Sequence, residues 1–237
     1  MDTTRVTVRL LGAVFLFQAI ASAVWTYLLS SLVVSDDIAA TMANIADNPT
    51  QMRASIVVTM LTALGVGALG ALLYTVLERQ NKAIARVALV FYTIEAAILA
   101  ASRIEAFALL RLSEEPIGAE NPDQLRTMAE LFERSADYGD WLHMMPYAFG
   151  ALLFYSLLFT SRYVPRPLAI FGLGAAALAA IGVLVELLGY AVPLVVFLPG
   201  LPFELGIGLW LIVKGIDDPD TRQPAIEPRE EAKVGVL

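Results

Sequence analysis

Two glutamates, Glu95 and Glu204, lie inside long apolar stretches, where an ionisable side chain is costly to bury. A rise of 1.5 Å per helical residue, counted from the basic residues Arg86 and Lys214, puts them about 13.5 and about 15 Å deep. Both depths are close to the middle of a ~30 Å hydrocarbon layer, and no basic residue shares them. The pair predicts a binding site for a small amphiphile, a lipid headgroup or a cation, with Tyr92 as a neighbouring hydrogen-bonding group.

A proline pair precedes the second of these glutamates. Pro199 and Pro202 remove two amide donors and should interrupt the helix just before Glu204. The carboxylate would then fall in the first turn of the next helix, where free N–H groups favour an anion. Several transporters build substrate sites from such broken helices. A structural role stays open, in which Glu204 satisfies the exposed backbone and Glu95 bonds to a neighbouring helix.

A second polar group is predicted nearer the outer surface of the membrane. It contains Arg103, Glu105, Asp140, His143 and Glu186, most of them about 25 to 30 Å from the inner basic residues. Arg103 and Glu105 would bind a polar headgroup, with the guanidinium on a phosphate or carboxylate. As an enzyme site, His143 would transfer protons, with Glu186 or Asp140 orienting it. A salt-bridge network that only pins the helices is the third interpretation.

The composition predicts an all-α, polytopic membrane protein. The 237 residues are 58% hydrophobic and 16% charged, which is too apolar for a disordered or water-soluble protein. The net charge of −7 argues against a nucleic-acid partner. With no cysteine and one histidine, disulfides, thiol nucleophiles and Cys- or His-rich metal centres are excluded. We therefore predict no metal and no other cofactor.

Crossing the hydrocarbon core takes about 20 apolar residues, and six stretches reach that length. They cover about residues 10–34, 56–77, 87–110, 141–160, 168–190 and 193–213. They form a six-helix transmembrane domain over residues 1–215. From residue 216 to 237 the chain is rich in Asp, Pro, Glu and Arg, and we predict a disordered cytoplasmic tail.

The lysines and arginines predict the orientation. Eleven of them fall on the side that holds both termini and four on the other side, so both termini should be cytoplasmic. Two short amphipathic helices are predicted in the outer loops. The first starts at Ser35-Asp36-Asp37 and has its apolar face at Ile38, Met42 and Ile45. The second follows Asn121 and has its apolar face at Leu125, Met128 and Phe132.

Several segments carry a family resemblance. They are Phe203-Glu204-Leu205-Gly206-Ile207-Gly208-Leu209-Trp210-Leu211-Ile212-Val213-Lys214-Gly215, Tyr163-Val164-Pro165-Arg166, Glu95-Ala96-Ala97-Ile98 and Leu142-His143. With the order of the six spans, they resemble the membrane family known as domain of unknown function 4386, over about residues 8–215. The resemblance implies a six-helix protein of the bacterial inner membrane, with Glu95, His143 and Glu204 at recurring polar positions. It implies no reaction.

Three functions follow from these observations. The first is binding or transport of a small amphiphile, lipid headgroup or cation, with the lipid bilayer as the surrounding partner. The second is an intramembrane enzyme that acts on a lipid-like substrate at the outer interface. The third is a non-catalytic interaction or stress-response component. The sequence leaves the oligomeric state open.

Overall fold

The computed structural model describes residues 3–115 and 121–216, which form α-helices and one short 3-10 turn. The helices are α1 (Thr3–Ser30), α2 (Ile38–Asp47), α3 (Pro49–Leu77), α4 (Lys82–Ala101), α5 (Arg103–Ser113), α6 (Pro122–Leu142), α7 (Met144–Ser161), α8 (Arg166–Leu187) and α9 (Gly200–Val213), and the 3-10 turn covers Leu194–Val196. The predicted tail, apart from residue 216, lies outside the described residues.

Six helical stretches are long and apolar enough to cross a membrane. They are Arg5–Ser30, Pro49–Leu77, Lys82–Ser113, Asp123–Ser161, Arg166–Leu187 and Leu194–Val213. The predicted all-α fold with six spans is therefore confirmed, and the chain is a multi-pass integral membrane protein.

The third span is kinked, whereas the sequence predicts one continuous helix over 87–110. Helix α4 ends at Ala101 and α5 begins at Arg103, with Ser102 between them. The Ser102 hydroxyl donates a hydrogen bond to the Leu99 carbonyl at 3.1 Å. Such local side-chain bonds to the helix backbone often bend helices.

The fourth span begins much earlier than the predicted residue 141. The amphipathic helix α6 is not a short loop helix but runs for 21 residues into the span, and only His143 separates it from α7. Pro146 explains the break, because it has no N–H to bond the carbonyl of Leu142.

Two other helices end earlier than predicted, each for a local reason. Helix α1 ends at Ser30, where the Gln51 side chain donates to the free carbonyl of Leu28 at 2.7 Å. Helix α8 ends at Leu187 because Gly189 turns the chain with a φ of 88°. Glycine adopts this left-handed conformation without steric cost.

The six spans form a closed ring. In order around it, α1 packs against α3, then α4, α7, α8 and α9, and α9 returns to α1. The start of α1 and the end of α9 lie at one end of this bundle, which we call the termini side, and α2, α5 and α6 lie at the opposite loop side. Phe203 stands in the middle, with its ring 4.6 Å from that of Tyr155 and 6.5 Å from that of Phe15.

Helices α2, α5 and α6 cover the loop side. The Asp37 side chain accepts a hydrogen bond from the Ala40 N–H at 2.9 Å, which confirms the predicted start of α2. Ile45 is fully buried in a cluster with α5 and α6, as its predicted apolar face requires. On α6 the predicted face is only partly correct, because Phe132 packs in this cluster while Met128 is exposed.

Candidate functional site

A cavity of about 730 Å³ opens between the six spans on the loop side of the bundle. Its walls come from α1, α3, α4, α6, α7, α8, α9 and the segment before α9. The lining is mainly apolar and aromatic, with a few polar groups. Volume and lining are typical of sites that bind small molecules.

The two predicted carboxyls meet in this cavity. Glu95 comes from α4 and is only 4% exposed, and Glu204 comes from α9. Both side chains are among the residues that line the cavity. The Tyr147 hydroxyl donates a hydrogen bond to Glu204 Oε1 at 3.3 Å. The ring of Tyr92 lies 6.4 Å from the ring of Tyr147, so the predicted residue Tyr92 belongs to the same group.

The proline pair interrupts the sixth span as predicted. The chain forms a short 3-10 turn and then starts α9 at Gly200, directly after Pro199. Glu204 is the fifth residue of α9, so it lies just beyond the first turn and not within it. Its carboxylate is consequently bonded to Tyr147 rather than to a free backbone N–H of the helix start.

Five buried polar atoms around the cavity have no hydrogen-bond partner among the described residues. They are Gln18 Oε1, Trp25 Nε1, Tyr92 OH, Glu95 Oε2 and His143 Nδ1. All five residues line the cavity. A buried polar atom without a partner costs about 1–3 kcal/mol, so native structures rarely accumulate them. Five around one space indicate that water or a ligand completes their hydrogen bonds.

Arg103 and Asp140 form a buried ion pair. Their side chains are 6% and 20% exposed, and the Arg103 guanidinium also donates to the Ser102 hydroxyl at 3.0 Å. The pair joins the kink of the third span to the end of α6. Helix α6 comes so close there that a Cβ on Gly139 would lie 2.5 Å from the Cβ of Ser102. The charge of Arg103 is therefore balanced by Asp140 in the structure.

Among the described residues, no hydrogen bond joins His143 to Asp140 or Glu186. His143 and Asp140 line the cavity, but Asp140 is bonded to Arg103. Glu186 accepts a hydrogen bond from the Val192 N–H at 2.7 Å and is not among the described residues that line the cavity. Glu105 lies outside the lining as well. His143 Nδ1 therefore has neither carboxylate as its hydrogen-bond partner within the described chain.

The lining residues that were not predicted include Gln18, Trp25 and Tyr147. Gln18 and Trp25 lie on one face of α1 together with Ser22, at helical spacing, and Gln18 also donates to the Thr62 carbonyl at 3.2 Å. Tyr147 follows His143 by one turn. The cavity-facing sides of α1 and α7 could have been found from the helical spacing of their uncharged polar residues. A search limited to ionisable residues does not find them.

Comparison with known families agrees with the predicted resemblance. The family model described as domain of unknown function (DUF4386) matches residues 10–215. No curated protein and no solved structure matches the chain. Glu95, His143 and Glu204 all fall within the matched region and line the same cavity. Of the predicted outer group, His143 and Asp140 share this cavity with Glu95 and Glu204.

Proposed function

The chain belongs to the DUF4386 family, and for this member we propose binding of a small amphiphile in the cavity between the six spans. One observation carries the proposal: five buried polar atoms, unpaired within the described chain, surround a space whose walls are otherwise mostly apolar. Such a site suits a molecule with a polar head and an apolar body. Water alone would satisfy the polar atoms but would leave the apolar walls wet, which is unfavourable.

We propose binding rather than transport, because the cavity is closed by aromatic side chains on the termini side. On the termini side of the cavity the aromatic cluster of Phe15, Tyr155 and Phe203 fills the ring of helices, and all three side chains are fully buried. A transported molecule would have to displace these rings. The distribution of lysine and arginine supports placing the termini side in the cytoplasm of a bacterial inner membrane, and this orientation is part of the proposal.

The test is native mass spectrometry of the protein released gently from its membrane. We expect the wild type to retain a non-protein mass, and Glu95→Gln/Glu204→Gln to lose at least nine-tenths of it, because two acceptors of the ligand head are changed. Glu78→Gln is the matched control, since Glu78 lies outside the cavity and pairs with Lys82 at 3.8 Å. A wild type without any bound mass, or equal retention in the double variant, would contradict the proposal.

A further inference from the structure

The charges around the cavity are unbalanced. Four carboxyl groups line it, on Glu95, Asp137, Asp140 and Glu204, and the described lining contains no lysine or arginine. Of these four, Asp140 alone has a basic partner within the described chain, Arg103. Of the three without a basic partner, Glu95 is buried, Glu204 is partly buried and Asp137 is exposed. Burying the Glu95 carboxylate without a counter-charge is costly, and repulsion from Glu204 adds to the cost. A cation bound beside Glu95 and Glu204 would relieve both.

The unpaired atoms favour a ligand that donates hydrogen bonds. Glu95 Oε2 and Gln18 Oε1 are acceptors, and the Tyr92 hydroxyl can accept as well. Tyr92 is 1% exposed and lines the cavity. The rings of Tyr92 and Tyr147 stand beside the carboxyls, and aromatic faces attract ammonium groups.

The cavity also has a lateral opening toward the lipid. Helices α1 and α9 touch on the termini side, where a Cβ on Gly12 would lie 2.7 Å from the Gly208 carbonyl oxygen. On the loop side, α1 makes no contact with the 3-10 turn that precedes α9, both of which are described in full. The lining residues on the two edges of this gap, Tyr27 and Leu194, are 76% and 67% exposed. The gap lies at the loop-side end of the bundle, and an apolar chain can leave the cavity sideways through it.

Resting on the proposed amphiphile binding, we infer that the ligand carries a positively charged amine or ammonium head between Glu95 and Glu204, with its apolar chain directed into the bilayer between α1 and residues 194–201. The carboxyl pair selects the head, and the lateral gap admits the chain.

The test compares three probes of equal chain length, added to the purified full chain in maltoside micelles. They are dodecylammonium, whose –NH₃⁺ head can donate hydrogen bonds, the uncharged dodecyldimethylamine oxide and the anionic dodecanoate. Trp25 and Trp141 line the cavity, so their fluorescence reports occupancy. We expect the ammonium probe to bind at least tenfold more tightly than the other two. Glu95→Gln/Glu204→Gln should remove this preference, and Glu78→Gln should keep it.

A second variant distinguishes the effect of the carboxyl charges on binding from the effect of the space in the cavity. Ala23→Phe places a large side chain in the lining and should weaken all three probes, whereas Ala13→Phe, on an exposed position of α1 outside the lining, should weaken none. If all three probes bind equally well and Ala23→Phe blocks them, the cationic head is wrong and amphiphile binding stands. If no probe binds, the cationic ligand is overturned, and an empty wild type in the mass spectrum then overturns amphiphile binding too. The probe comparison needs only the wild type, so its outcome does not depend on whether a variant folds.

Discussion

Asp140→Ala should lower the free energy of unfolding by about 3 kcal/mol, because it leaves the Arg103 charge buried without its partner. The Arg103 side chain is 6% exposed, so water can replace the lost carboxylate only in part. The pair also joins the kink at Ser102 to the end of α6, and both elements should loosen together. Unfolding by a denaturing detergent, titrated into mixed micelles, measures the loss.

Two controls separate the buried charge from side-chain truncation. Glu130→Ala breaks the exposed pair of Glu130 and Arg134 on α6 and should cost at most about 0.5 kcal/mol. Arg103→Met combined with Asp140→Leu removes both charges and should recover most of the stability, because apolar pairs of similar volume often replace buried ion pairs at little cost. Equal losses in Asp140→Ala and Glu130→Ala would show that the buried pair does not stabilise the bundle.

The sequence is most informative where the cause is local. The six spans follow from apolar length, and the interruption before Glu204 follows from Pro199, because proline changes the backbone at its own position. The break at His143 also has a local cause, in Pro146. The hydropathy pattern does not show that α6 continues into the fourth span. Its polar face and the apolar stretch after it have the patterns of two separate elements.

The cavity depends on which helices become neighbours, and spacing along the chain does not determine this. Glu95 and Glu204 meet because α4 and α9 face the same space inside the ring. Arg103 and Asp140 are 37 residues apart, and they pair only because α6 crosses the third span at its kink. The sequence therefore predicts which polar residues need partners, and the order of helices around the ring decides which partners they find.

The contact of α1 with α9 predicts the second large effect. Gly12→Ala should be about 2 kcal/mol less stable than Gly67→Ala, measured by the same unfolding titration. A Cβ on Gly12 would lie 2.7 Å from the Gly208 carbonyl oxygen and 3.0 Å from the Leu211 Cβ, so two helix backbones must separate. A Cβ on Gly67 meets nothing within 4 Å, and alanine there should be neutral or slightly stabilising, because glycine weakens a helix interior.

A substitution on α9, at Gly208, tests the same contact. A Cβ on Gly208 would lie 2.9 Å from the Gly12 carbonyl oxygen and 2.8 Å from Leu16 Cδ2, so Gly208→Ala should have a similar cost. Once either alanine has separated the helices, the other has more room, and the double variant should lose less than the sum of the two single losses. Strict additivity would mean that the glycines act independently. Small residues allow this close approach, since helices in lipid associate mainly through backbone and side-chain packing.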